Sequence, residues 1–407
     1  MISRVRNVFF IACFGVLGGL VKNILLAREL PKDELGQFSL LMTIVGFVYP
    51  LSLFGQHNAF VRFIADKAFP DYNWFKQIKQ TLFLSAVFTC LAIGFVTPVY
   101  QFTFLAVVFV LIATFATGGS DLLATVFRAQ GRYELSMFSF RLLSLLLPLP
   151  VFLLLYVQMF TFSNVLLAFS ALYLVTPVVI AIFNKRSFQN GTQELPKSIW
   201  KDGLLLWGSD LSLLVIYSID RLFIPKLMDY EALGEYFAIF AITRVFDLVL
   251  RSVELVLFPH VKRSSQVRLP RITAAVLGAG LVLSILYVLF GDVMVAFLYR
   301  GKYDDSTFLI PFFCVLGIVR LLHVIPYSII GSLLERKRLQ QMFYVNILII
   351  LLSVVLSFFM IKHYGLIGAV LSSIAIWSMK TAAGFGIMFF EGISPNKTIT
   401  KNGGSSG

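Results

Sequence analysis

Charge is what this chain has least of. Only 14% of its 407 residues are Asp, Glu, Lys or Arg, where soluble proteins carry about a quarter. That shortage excludes a solvated globular fold of this size. Cysteine is scarce too: Cys13, Cys90 and Cys314 each sit in an apolar run, without metal-ligand spacing. No disulfide framework or zinc site is implied. The four histidines, His57, His260, His323 and His363, are scattered. The chain contains no G-x-x-x-x-G-K-[ST] stretch, so it carries no ATP-hydrolysing module of that kind. No loop is long enough to hold a soluble catalytic domain. The first apolar run lacks a small-residue cleavage site followed by polar chain, so no cleaved signal is expected. Residues 403–407, GGSSG, read as an appended tail.

What fills the chain is hydrocarbon. It is 58% hydrophobic with 42 Phe, and its mean hydropathy is +0.86. Twelve stretches approach the roughly 20 residues a bilayer needs: 6–29, 35–55, 79–98, 102–126, 136–157, 161–184, 199–225, 232–259, 272–298, 307–331, 340–361 and 364–390. With the N-terminus placed in the cytoplasm, the inside segments hold 21 Lys and Arg and the outside segments 7. The positive-inside rule then puts both termini inside. The net charge of +13 therefore belongs to membrane topology. The basic residues form no continuous face for nucleic acid.

One stretch breaks the hydrocarbon pattern. Leu233 to Lys262 reads as a single long apolar helix, yet it carries Arg244, Asp247, Arg251 and Glu254 at spacings of 3, 4 and 3. At 3.6 residues per turn these fall on one face. Each charge near a bilayer centre costs about 2.5–3.5 kcal/mol. The 15 Leu, Ile, Val and Phe residues between Ala232 and Phe258 return about 0.3–0.6 kcal/mol each. Four lipid-facing charges would cancel that gain, so the stripe must face protein or water. It is either a self-neutralised structural ladder, with Asp247 paired to Arg251 at i,i+4, or the wall of a polar cavity. The cavity is the expectation.

Other charges lie deep in the spans. Asp210 and Arg320 sit near mid-depth with Arg244, and Lys22 lies in the outer half of its span. Asp121 is close to the cytoplasmic side. Arg141 and Lys380 are expected to snorkel, and Asp220 with Arg221 to form a structural pair. His323 reads as a packed polar residue one turn after Arg320. The deep set holds six bases against four acids, an interior suited to an anion. The candidate substrate-binding residues are Arg244, Arg320, Lys22, Arg251 and Arg62. The candidate ion-pair or coupling residues are Asp210, Asp247, Glu254 and Asp121. No metal site or cofactor is expected. Coupling to a proton or sodium gradient would supply the energy.

An internal repeat is visible. Leu35-Gly36-Gln37-Phe38 aligns with Leu233-Gly234-Glu235-Tyr236 at an offset of 198, and GRYELSMF (131–138) aligns with RKRLQQMF (336–343) at 205. Two six-span lobes in the same orientation follow, 1–190 and 191–402, related by an axis along the membrane normal.

Leu25 to Ala65, with its Ala-Arg-x-Leu, Leu-Gly-x-Phe and Gly55–Arg62 elements, resembles the opening of Wzx-type polysaccharide flippases of the MOP exporter superfamily. Ser218 to Phe240 resembles that family's second-lobe signature, and GRYELSMF its link between spans 4 and 5. The resemblance implies an all-α polytopic membrane protein, with twelve helices in two six-helix lobes in the MOP/MATE-like arrangement. It implies an undecaprenyl-pyrophosphate-linked oligosaccharide as substrate, moved from the cytoplasmic to the periplasmic leaflet of the bacterial inner membrane. Membrane lipid, and association with polysaccharide polymerase machinery, would come with that role, and O-antigen, capsule or exopolysaccharide would be the product.

Rival readings make different demands. A MATE-like drug/cation antiporter would favour a carboxylate-rich lobe, and here the deep charges are net basic. A lipid II flippase would carry two further spans. A major-facilitator transporter would need a G-x-x-x-D-R-x-G-R-R-like loop, which Gly55 to Lys67 does not supply. An integral-membrane polymerase or glycosyltransferase would want a large extracytoplasmic loop with acidic or His residues.

Overall fold

The structure, a computed structural model, describes residues 2–57, 59–60, 74–184, 198–250, 253, 269–333 and 336–390. Among these the secondary structure is helical throughout, as apolar chain without bilayer water requires: every backbone N–H must find a carbonyl inside its own segment. Among the described residues, nine helices are long and apolar enough to cross a membrane by length and composition. The last of them, Tyr344–Met388, is really two spans. Gly365 stands at φ 57, ψ −134 within it, and a Cβ at Gly368 would overlap the Met360 carbonyl oxygen. The chain therefore folds back as a hairpin, across which Ser357 Oγ donates to Ser372 Oγ at 3.3 Å. The expected spans 7 and 8 are helical over Ser198–Leu227 and Tyr230–Thr243 and are not among those nine, the second because its helix stops after 14 residues. The protein is an all-α, multi-pass membrane protein.

The chain divides into two compact units, Met1–Gly234 and Glu235–Gly407. The expected lobe boundary at 190/191 falls outside the described residues.

The first unit contains α1 (Ile2–Glu29), α2 (Lys32–Ser52), α3 (Trp74–Tyr100), α4 (Phe104–Ala129), α5 (Tyr133–Leu146), α6 (Pro148–Tyr156), α7 (Phe162–Phe183) and α8 (Ser198–Leu227). The start of α9 (Tyr230–Thr243) also belongs to it. Expected span 5 is broken at Leu147 because Pro148 opens a new helix at its first position. The aromatic core joins α2, α4 and α7. Phe38 meets Phe169 edge-on at 5.7 Å, and Phe109 meets Tyr173 at 6.1 Å. Phe83, Leu91 and Phe95 on α3 stay exposed, as lipid-facing side chains do.

The repeated Leu-Gly motif has a physical reason. A Cβ on Gly36 would overlap the Tyr230 carbonyl oxygen, and a Cβ on Gly234 would overlap that of Lys32. Each glycine faces the carbonyl four residues before the other, a reciprocal crossing of helix starts that only glycine permits. Lys32 Nζ lies 3.7 Å from Glu231 beside it. At the far end of α2, Gly55 at φ 68 comes against the Gly203 carbonyl of α8. There Trp207 Nε1 donates to the Leu51 carbonyl at 3.0 Å.

The second unit contains the rest of α9, α10 (Leu269–Tyr299), a 3-10 turn (Asp304–Leu309), α11 (Ile310–Leu333) and α12 (Arg336–Phe390). Two buried phenols of α10 brace α9: Tyr299 donates to the Ala238 carbonyl at 2.8 Å, and Tyr287 to that of Ile242 at 2.7 Å.

Expected span 8 departs from a single long helix. α9 ends at Thr243, Arg244 stands in a turn, and helix resumes over 245–250. Thr243 Oγ1 donates back to the Phe240 carbonyl at 2.9 Å. The Asp247 amide bonds to Arg244, only three residues back. A hydroxyl competing for a helix carbonyl, followed by a tighter turn, interrupts the ladder.

Candidate functional site

The interruption at Arg244 sets up a cluster of charges inside the second unit. Arg320 projects from α11 and brings Nη2 to 2.6 Å from Asp247 Oδ1. Arg244 Nε lies 3.7 Å from the other oxygen of the same carboxylate. Asp247 is thus shared by two guanidinium groups. Their surroundings differ: the Arg320 side chain is 10% exposed and that of Arg244 43%. The buried arginine is held in a short charge-assisted bond, while Arg244 is partly exposed.

Packing explains the short contact. Gly317, one turn before Arg320, lies against the Phe246 ring, and a Cβ there would come within 2.6 Å of it. Phe246 stacks in turn on Tyr287 at 5.9 Å. This closeness of α11 to the resumed helix lets Arg320 reach Asp247.

α12 completes the cluster. The Trp377 ring lies under the Arg320 guanidinium at 5.6 Å and meets His323 edge-on at 5.1 Å. Tyr327 flanks His323 at 5.9 Å. Lys380, one turn after Trp377, is buried and lies close enough, with Arg320, to act electrostatically on His323. Among the described residues the cluster therefore holds three formal positive charges, Arg244, Arg320 and Lys380, with the Asp247 carboxylate between the two arginines. Both His323 nitrogens are buried without a hydrogen-bond partner among the described residues.

The sequence-derived candidates separate accordingly. Arg244, Arg320 and Asp247 come together. Arg62, Arg251 and Glu254 lie outside the described residues, as does the side chain of Asp210 in α8. The Asp247–Arg251 pair therefore lies outside as well, and the described partners of Asp247 are Arg320 and Arg244. Lys22 is buried in the first unit, with Nζ 5.1 Å from the centre of the Phe38 ring. Asp121, partly buried in α4, makes no ion pair among the described residues. Asp220 pairs with its neighbour Arg221 at 3.8 Å. Lys380 corrects the expectation of snorkelling: its side chain stays inside. Its signal in the sequence was Trp377 and Lys380 one turn apart, deep in an apolar span. Among the described residues no group of His, Cys, Asp and Glu is arranged to hold a metal ion.

Comparisons with known proteins agree with this architecture. The family described as polysaccharide biosynthesis protein matches residues 4–265. No curated protein matches. Among solved structures, an inward-facing multidrug resistance MATE family transporter of the MOP superfamily superposes with a TM-score of 0.67 at 14% identity, over 94% of this chain and 96% of that one. An outward-facing form gives 0.67 at 16%, over 97% and 96%. A MOP superfamily transporter from Pyrococcus furiosus, described by the reverse polarity of its binding pocket, gives 0.67 at 15%, over 97% and 96%. The fold is that of the MOP transporters.

Proposed function

The chain belongs to the polysaccharide biosynthesis protein family, and from that premise we propose that it is a flippase for undecaprenyl-pyrophosphate-linked oligosaccharides. It works by alternating access, from the cytoplasmic to the periplasmic leaflet of a bacterial inner membrane, with both termini in the cytoplasm. It is a transporter and not an enzyme.

The observation that carries the reading is the cationic cluster around Asp247. A lipid pyrophosphate is anionic, and arginine forks bind phosphate oxygens in pairs. Arg244, the more exposed arginine, meets the headgroup first. Arg320 stays satisfied by Asp247 while the site is empty, because an unpaired guanidinium at that depth is costly. The arriving anion competes with the carboxylate for Arg320, and Asp247 takes it back after release. Lys380, buried on α12, adds a further positive charge to the site.

The drug/cation antiporter reading is supported by the fold, which it shares. The polarity of the cluster disfavours it, since a cationic drug would meet three like charges and one shared carboxylate. The Pyrococcus furiosus transporter is described as having a pocket whose reversed polarity suggests a different function, and the same logic of pocket charge applies here.

The test is reconstitution in proteoliposomes. Defined lipid-linked oligosaccharides should become accessible to a membrane-impermeant sugar oxidant on the opposite leaflet. Running the assay with and without H⁺ and Na⁺ gradients identifies the coupling ion. Absence of transfer, or uptake of organic cations in its place, would overturn the reading.

A further inference from the structure

A second site lies wholly in the first unit, built on the turn between α3 and α4. A cavity of about 200 Å³ is lined by Gln37, Tyr100, Gln101, Phe102, Thr103 and Tyr230, together with the apolar Leu41 and Ala106. The positive-inside topology puts it at the outer end of the helices. We infer that this cavity is an exit-side subsite for one uncharged sugar ring of the transported glycan. The inference rests on the proposed glycan cargo but concerns a different place from the Asp247 cluster.

The chemistry of the wall selects the ligand. No lining side chain carries a formal charge, and Lys226, whose Nζ stands against the Tyr100 ring, is not part of the lining, so the wall itself offers an anion no counter-charge. Gln37 and Gln101 each bring an amide that both donates and accepts. Thr103 Oγ1 accepts from the Ala106 amide at 3.4 Å, which leaves its proton to give. An apolar molecule would desolvate these groups without replacing their bonds. A sugar ring answers both features, with hydroxyls that donate and accept around its rim and C–H faces that rest on aromatic rings.

The aromatic part is held in place. Tyr100 and Phe102 stack at 5.7 Å with 15° between their planes. The Tyr100 hydroxyl donates to the Leu222 carbonyl at 2.8 Å, and Lys226 Nζ sits 5.1 Å from its ring centre. The Tyr230 hydroxyl donates to the Tyr100 carbonyl at 3.1 Å. Rings fixed in this way lose little freedom on binding. Gln101 stands between them at φ 55, a backbone region that favours glycine. Gln158 and Arg300 share this φ just past other helix ends, so the conformation belongs to helix termination, and it places the Gln101 amide at the cavity wall. The volume admits one ring of a repeat unit, the remainder lying outside.

The φ of Gln101 also supplies a variant that keeps the fold, since Gln101→Gly removes the amide while suiting the backbone. The protein in nanodiscs is titrated with the repeat-unit oligosaccharide cleaved from its host's surface polysaccharide, free of lipid and pyrophosphate. Saturation-transfer NMR reads the ring protons in contact. The wild type should bind through ring C–H protons, and Gln101→Gly with Gln37→Met should weaken binding at least tenfold. Binding of undecaprenyl pyrophosphate without sugar should be unchanged. Equal affinity of wild type and variant, or no saturation transfer to the wild type, overturns the subsite. Leaflet transfer of the wild type is scored separately: glycan binding lost in the variant but no transfer by the wild type upholds the subsite and removes the flippase reading. Normal transfer with a variant that binds glycan unchanged does the reverse.

Discussion

Arg244 and Arg320 contact the same carboxylate, yet their environments assign them different parts, and removing each partner in turn separates structure from transport. Asp247→Ala leaves the Arg320 guanidinium, 10% exposed, with its 2.6 Å partner gone. Removing one partner of a buried pair costs about 3–5 kcal/mol. Arg244 is 43% exposed and 3.7 Å from Asp247, so Arg244→Ala costs about 0–1 kcal/mol. Mixed-micelle unfolding reads the stability, membrane abundance reads insertion, and leaflet transfer reads function. Arg244→Ala should insert normally and lose transfer, and Arg244→Lys should recover it in part, because a point charge replaces a fork. Asp247→Ala should be depleted from the membrane. Joining it to Arg320→Met should restore abundance, since an apolar pair can replace a buried ion pair at little cost, while transfer stays absent. Normal transfer by a well-expressed Arg244→Ala protein would refute the cavity role. Recovery of transfer in the Asp247→Ala, Arg320→Met protein would reduce the pair to scaffolding.

Three further outcomes are expected. Gly36→Ala and Gly234→Ala each drive a methyl into a backbone carbonyl, costing about 1–3 kcal/mol or more; membrane levels equal to wild type for either would contradict the crossing. Gly317→Ala presses on the Phe246 ring and should cost about 1–3 kcal/mol in unfolding free energy while loosening Arg320 from Asp247; an unshifted unfolding curve counts against the packing account. Single cysteines in the loops Asp71–Trp74 and Gln189–Thr192 should resist impermeant labelling in whole cells, and those at Asp229 or Asp304 should label; the reverse pattern would invert the topology.

The fold was legible because its main determinant is one-dimensional. Runs of about 20 apolar residues have one stable answer in a bilayer, and a shared Leu-Gly motif announces repeated helix starts. The reason for the motif was not legible. That Gly36 meets the Tyr230 carbonyl while Gly234 meets that of Lys32 is a relation between segments about 200 residues apart, and only packing states it. Pro148 gave its break away, because a proline fixes where a helix must restart. Arg244 did not. Thr243 and Arg244 are ordinary helix residues, and the turn there depends on a hydroxyl choosing the Phe240 carbonyl and on phenols from α10 holding α9.

Periodicity also limits what can be inferred about charge. It offers partners on the same helix, so Asp247 was matched to Arg251. The closest contact among the described residues is with Arg320, 73 positions away by number and 2.6 Å away in space. The same limit hid Lys380. By itself, a lysine in an apolar span is expected to reach for the interface. Beside Trp377, His323 and Arg320 it stays inside, because α11 and α12 pack along each other and surround it with aromatic and polar groups. Sequence could count the deep charges and find them net basic. It could not say that the excess converges on one carboxylate, and that convergence is what turns a count into a site where an anion can compete for Arg320.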